Sequence, residues 1–171
     1  MKKYFFLLLL IGCTTPRQQP DPLQTVKDFL AWYGANYKEA NSFGLVNQGD
    51  SVYYSVNFEE TEKFLAYLKS SGFVSDKYLS GFRKKFSEAQ LAFEKEPMNE
   101  GPPLGFDYDI VLWTQEPDLV IEKAKNPIIT FSSIRDGEAS IGLDVYMKLQ
   151  FDLSQDNGAW KIDRIFPTHD E

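Results

Sequence analysis

The chain has 171 residues, 43% of them hydrophobic and 25% charged, with 25 acidic and 18 basic side chains and a formal net charge of −7. This length suits one ordinary domain rather than two, and the apolar and charged fractions exclude a disordered or collagen-like chain. The acid excess argues against a broad nucleic-acid surface, a single Cys against internal disulfides and Cys-based zinc sites, and a single His, His169 near the C-terminus, against His-dependent catalysis.

Met1-Lys2-Lys3 is a short basic start, followed by the apolar run Tyr4 to Ile11 and then Gly12 and Cys13. That order is the pattern of a secretory signal. The run falls well short of the ~20 residues a membrane-spanning helix needs. Leu10-Ile11-Gly12-Cys13 resembles the bacterial lipobox. The resemblance implies diacylglycerol on the Cys13 sulfur, cleavage after Gly12 and acylation of the new amine; the bland alternative is a signal that merely ends in Cys. Loss of Lys2 and Lys3 would leave 16 of the 18 basic residues against 25 acidic ones, a net charge of −9. One acyl chain binds a membrane marginally, whereas several, at about 0.8 kcal/mol per buried CH₂, anchor it stably. The expected location is therefore the bacterial cell envelope, lipid-anchored, with the outer membrane favoured over the inner and a periplasmic or surface-facing domain. The expected organisation is a signal peptide over 1–12, a Pro-containing tether over 13–21, one domain over 22–167 and a polar tail over 168–171.

Asp21-Pro22-Leu23-Gln24 reads as a helix start, with Asp as N-cap and Pro in the first turn. Val26, Phe29, Leu30, Tyr33 and Tyr37 then form one helical stripe, with Gly34 predicting fraying near Asn36 to Lys38. Asn41 to Asp50 reads as a loop and Ser51 to Val56 as a short strand. Asn57 with Glu60 is a capping box opening a helix to Ser71, with Phe58, Leu65 and Leu68 on one face. Gly72 and Phe73 fit a Schellman ending. Ser75 caps a third helix whose stripe is Tyr78, Phe82, Phe86, Ala89 and Phe93, ending at Pro97. After a Pro/Gly loop over Met98 to Gly105 the period changes. Leu119 to Ala124 and Ile128 to Ser133 are β-prone. Ala139 to Leu153 alternates in and out as one long strand, with a bend or bulge expected near Gly142. Asp156-Asn157-Gly158 is a hairpin turn, and Ala159 to Phe166 is the last strand, with Trp160 and Ile162 on the core side.

Helices first and antiparallel strands last predict an α+β fold. The closing hairpin, VYMKLQFDLSQDNGAWKIDRI, resembles that of the NTF2-like cone fold, in which a curved antiparallel sheet wraps a helix. FLAWY (29–33), LKSSGFVSDKYL (68–79) and FDYDIVLWTQE (106–116) resemble segments of the DUF3828 family of bacterial lipoproteins. Ile110 stands where that family often has Pro, and Glu116 where it often has Asp. The resemblance implies fold and location and carries over no catalytic residue.

The sharpest polar cluster is Asp107, Asp109, Gln115 and Glu116. In an extended segment Asp107 and Asp109 would share a side. Two close carboxylates can split their pKa values and act as acid and base, or offer oxygen ligands to Ca²⁺; equally, they can cap a turn. The aromatic set Trp32, Tyr33, Tyr37, Tyr53, Tyr54 and Trp113 reads either as a pocket lining or as core, with Trp32 beside the helical stripe. Arg83-Lys84-Lys85 reads as a solvated face balanced by Glu88, or else as a phospholipid contact. His169 is given no role. No nucleotide, metalloprotease or serine-hydrolase motif occurs, so no cofactor or metal is expected and no catalytic residue is assigned. The expectation is a lipid-anchored, non-enzymatic binding or accessory module with a concave aromatic-lined pocket for a protein or small ligand. The alternative is a small hydrolase- or isomerase-like enzyme using Asp107 or Asp109 in the cone mouth.

Overall fold

The computed structural model describes residues 21–168; Cys13, the signal segment, most of the tether and His169 lie outside them. The described chain is α+β, with four helices, a two-stranded hairpin and a four-stranded antiparallel sheet.

Helix α1 (Pro22–Ala40) starts where its cap predicts: the Asp21 carboxylate accepts the Leu23 N–H at 3.0 Å, and Pro22 sits where no donor is needed. Val26, Phe29, Leu30 and Tyr33 are buried. The expected fraying after Gly34 does not occur, and the helix runs on to Ala40. Gly34 instead marks a close approach, since a Cβ there would lie 2.7 Å from Ile121 Cγ2.

Strands β1 (Val46–Gly49) and β2 (Val52–Val56) form a hairpin through Ser51, which adopts φ +63°. β1 lies in the stretch expected to be a loop. Its sequence, VNQG, has no strand pattern of its own; pairing of Val46 with Val56 and of Asn47 with Ser55 makes it a strand.

Helix α2 (Phe58–Ser70) is capped by Asn57, whose side chain accepts the Glu60 N–H at 3.2 Å. Phe58 does not join the core face and is 49% exposed. It sits in the first turn, at the margin of a stripe made by Thr61, Phe64, Leu65 and Leu68. Gly72 is left-handed, and its N–H reaches the Lys69 carbonyl. The Phe73 N–H goes to Ser71 Oγ rather than back to Leu68, so only half of the Schellman pattern forms. Helix α3 (Asp76–Lys95), capped by Ser75, buries Tyr78, Leu79, Phe82, Phe86 and Phe93. Helix α4 (Pro117–Lys123) replaces the strand expected over 119–124. Pro117 pre-sets the first turn and Asp118 favours the helix N-terminus, while about two turns suffice to bury Val120 and set Ile121 against Gly34.

The large sheet is a meander of β3 (Ile128–Arg135), β4 (Glu138–Asp144), β5 (Lys148–Asp156) and β6 (Ala159–Pro167), in that order. The single long strand expected over 139–153 is two strands joined by Val145-Tyr146-Met147, with Tyr146 at φ +83°. The bulge expected near Gly142 lies opposite it, on β3, where pairing slips between Ile129 and Phe131 and the Phe131 ring lies over the glycine. The Asn157-Gly158 turn joins β5 and β6 with both residues at positive φ, as predicted.

Ile141, Leu143, Leu149, Phe151, Leu153, Trp160 and Ile162 form the inner face, against which α1 and α3 pack. The outer face is polar: Asp152 accepts from Ser140, Gln150 and Arg164. The β6 edge is covered by Phe73 to Ser75, through Ile162 N–H to Phe73 O at 2.8 Å and Ser75 N–H to Ile162 O at 2.9 Å. No strand pairs with the outer edge of β3 among the described residues, and every residue of β3 is exposed.

Candidate functional site

Asp109 lies in the interior and is 7% exposed. One carboxylate oxygen accepts the Val111 and Leu112 N–H groups at 3.0 and 2.6 Å. The other accepts the Tyr33 hydroxyl at 2.7 Å, with the Asn41 amide at 3.5 Å. Its backbone closes the same loop, through Asp109 N–H to Thr114 O at 2.8 Å and Trp113 N–H to Asp109 O at 2.7 Å. The segment is thus a turn wound around a carboxylate, not an extended strand. Burial, reinforced by the Asp109 charge, raises the Tyr33 phenol far above its ordinary pKa and keeps it a protonated donor.

Asp107 does not join Asp109 as an acid–base pair. It is exposed and accepts the Gln115 amide at 3.4 Å. A shallow surface depression includes both aspartates and Gln115, but only Asp109 is buried. Glu116 is the N-cap residue of α4, and its side chain makes no capping bond. The aromatic set also disperses. Trp32 packs between Phe29 and Tyr67, with ring centroids 6.2 and 5.6 Å away. Tyr53 is 62% exposed, and Tyr54 is buried against Phe93. Tyr33 lines a cavity of about 210 Å³ with Phe43, Phe64, Phe106 and Asp109.

Trp113 faces a different and larger cavity. This one, about 350 Å³, lies between α3 and β6 and is lined by Tyr78, Gly81, Phe82, Lys85, Glu88, Trp113, Asp163, Arg164 and Ile165. Its volume falls within the ~300–1,000 Å³ typical of small-ligand sites. Trp113 is held at φ +59°, a strained position for a bulky residue. Its indole N–H donates to the Ile165 carbonyl at 2.9 Å, which ties the loop to β6. The ring stacks on Tyr108 at 6.0 Å. Above both rings sits the Lys85 ammonium, 4.3 Å from the Trp113 centroid and 5.0 Å from that of Tyr108, donating to the Tyr108 hydroxyl at 3.1 Å. Burial lowers the Lys85 pKa from 10.5 to about 8, against the pull of the Asp109 charge.

The basic run therefore divides. Arg83 pairs with Glu62 and Lys84 with Glu88 on the surface, as a solvated face should, while Lys85 turns into the cavity. On β6, pairing slips between Asp152 and Leu153, and the extra residue, Asp163, is buried beside the cavity. Tyr78 is 4% exposed, and its hydroxyl has no hydrogen-bond partner among the described residues. Of the polar cluster and the aromatic set named from the sequence, the structure thus brings only Trp113 to this cavity. Lys85 was named only as part of the basic run, and Tyr78 and Asp163 as no part of a site.

No protein-family model matches the chain, and no curated protein matches it in sequence. Among solved structures, it is similar to a chain of the type VI effector–immunity complex Tae3–Tai3 from Ralstonia pickettii. The identity is 15% and the TM-score 0.46, over 88% of this chain and 99% of that one.

Proposed function

We propose that the protein is a lipid-anchored lipoprotein of the bacterial envelope whose domain binds a ligand and does not transform it. In this reading Cys13 carries the acyl chains, residues 13–21 form the tether, and an NTF2-like domain of the DUF3828 type faces the periplasm or the cell exterior. The basic-then-apolar leader and the lipobox-like Leu10-Ile11-Gly12-Cys13 support the anchor, and the closing hairpin supports the fold type.

The observation that carries the binding role is the cavity between α3 and β6, which sets an apolar wall beside the Lys85 ammonium. The enzyme alternative is disfavoured by Asp109 itself. Two backbone N–H groups and the Tyr33 hydroxyl occupy its carboxylate, so it is engaged in holding a turn.

Two experiments test the two halves of the reading. Cys13→Ala moves the protein from the membrane to the soluble fraction, and mass spectrometry of the natural product shows acyl mass on Cys13. An intact Met1 or a bare thiol would overturn the anchor. For the cavity, an NMR fragment screen should give ligands that shift the Trp113 indole signal. Gly81→Phe should abolish those shifts, because a side chain at Gly81 enters open space at the rim. Fragment shifts unchanged by Gly81→Phe would rule the cavity out.

A further inference from the structure

Four charged side chains line the cavity between α3 and β6, and three of them are in ion pairs. Asp163 accepts the Ser154 hydroxyl at 3.1 Å and the Lys77 ammonium at 3.3 Å. Arg164 is held by Asp152, and Glu88 lies 3.7 Å from Lys84. Lys85 has no carboxylate within ion-pair distance among the described residues. Its ammonium, with three N–H donors, makes one hydrogen bond, to Tyr108, and otherwise rests on aromatic faces. Burying a donor without a partner costs stability, so such groups tend to mark a site. The Tyr78 ring lines the same wall, while its hydroxyl is buried beneath it and closed to the cavity.

Gly81 adds an independent sign. A glycine inside a helix is destabilising relative to Ala. No packing requires this one, since a Cβ there would meet no atom within 4 Å. It lies in the lining of the cavity, where no neighbouring side chain fills the space beside it.

Building on the binding role proposed above, we infer that the cavity takes a small organic monocarboxylate with an apolar body. The carboxylate pairs with Lys85, while the body packs on Phe82, Trp113 and Ile165. A single negative charge matches the one cation of the lining that forms no ion pair among the described residues. A dianion such as phosphate would meet Asp163 and Glu88 in the same wall, and a cationic ligand would meet Lys85.

The test compares phenylpropionate with its neutral amide, phenylpropionamide, on the full-length chain, followed by the Trp113 indole N–H signal. The acid should bind at least about tenfold more tightly, the usual worth of a charge-assisted hydrogen bond. Lys85→Met should bring the acid down to the amide's affinity and leave the amide unchanged. Equal affinities of acid and amide on the wild-type chain would overturn the carboxylate inference and leave the cavity a binding site. No shift of Trp113 by either compound would overturn the inference together with the binding role.

Discussion

Replacing Asp109 by Ala should be the most damaging polar substitution in the described chain. It strips acceptors from three buried donors at once: the Tyr33 hydroxyl and the Val111 and Leu112 N–H groups. Each orphaned donor costs about 1–3 kcal/mol, so the three together cost ~3–9 kcal/mol before relaxation. Typical domains hold only ~5–15 kcal/mol in total. At ~2–4 °C per kcal/mol for a chain of this size, even the low end lowers Tm by about 6 °C. Asp109→Asn keeps one oxygen for the two backbone N–H groups, and the Tyr33 hydroxyl can turn to accept from the amide, so about 1–2 kcal/mol is lost. Urea unfolding followed by tryptophan fluorescence measures both, and a cycle of Tyr33→Phe with Asp109→Asn isolates the buried contact. An Asp109→Ala protein within about 1 kcal/mol of the parent would refute the reasoning. If that variant also lost ligand binding, the carboxylate would serve the site rather than the turn.

The Lys85 amine titrates near 8 when folded and nearer its ordinary 10.5 when unfolded. Between those values the unfolded chain binds more protons, so stability should rise with pH from about 8 until, above 10, the buried Tyr33 and Tyr78 phenols reverse the slope. The groups facing the amine are Tyr78 and Glu88 on α3, Tyr108, Asp109 and Trp113 in the loop, and Asp163 and Arg164 on β6. Urea midpoints of the wild type at pH 8 to 10 should climb, those of Lys85→Met should not, and parallel curves would count against a buried amine. Gly142→Ala should be destabilising by about 1–3 kcal/mol through overpacking, since its Cβ would lie 2.3 Å from the Phe131 ring and 2.5 Å from Thr130 Oγ1. Adding Phe131→Ala should recover part of that loss; a double variant no better than the single would show that the ring is not the obstacle.

The legible parts of the fold were those written in local chemistry. Asp21, Asn57 and Ser75 cap the helices that their spacing predicts, and Asn157-Gly158 turns the hairpin that it predicts. The misread strand has a definite cause. A three-residue turn between Asp144 and Lys148 preserves the parity of the alternation, so Ile141 pairs with Phe151, and Leu143 with Leu149, on the same inner face. A pattern of period two cannot distinguish one long strand from two strands folded about an odd loop. β1 was hidden for the opposite reason, because its polar residues become a strand only through their partner in β2. Asp163 is invisible to alternation, since the bulge that buries it is a property of the β5–β6 pairing.

The site was more legible than the reading of its residue types made it. Composition groups Arg83, Lys84 and Lys85 as one basic patch, yet helical geometry separates them. Lys85 follows Tyr78 by seven residues and precedes Ala89 by four, which places it on the same stripe as Tyr78, Phe82 and Ala89. Arg83 and Lys84 fall on other faces, where they find Glu62 and Glu88. A cation on the apolar stripe of a core helix must be buried with a counter-ion, stacked on aromatic rings or left for a ligand. Here the rings of Tyr108 and Trp113 receive it, and the loop that supplies them is shaped by the Asp109 carboxylate. The acidic residue that drew notice in the sequence thus acts at one remove. It holds the turn that presents Trp113, and Trp113 helps form the aromatic surface under the Lys85 ammonium.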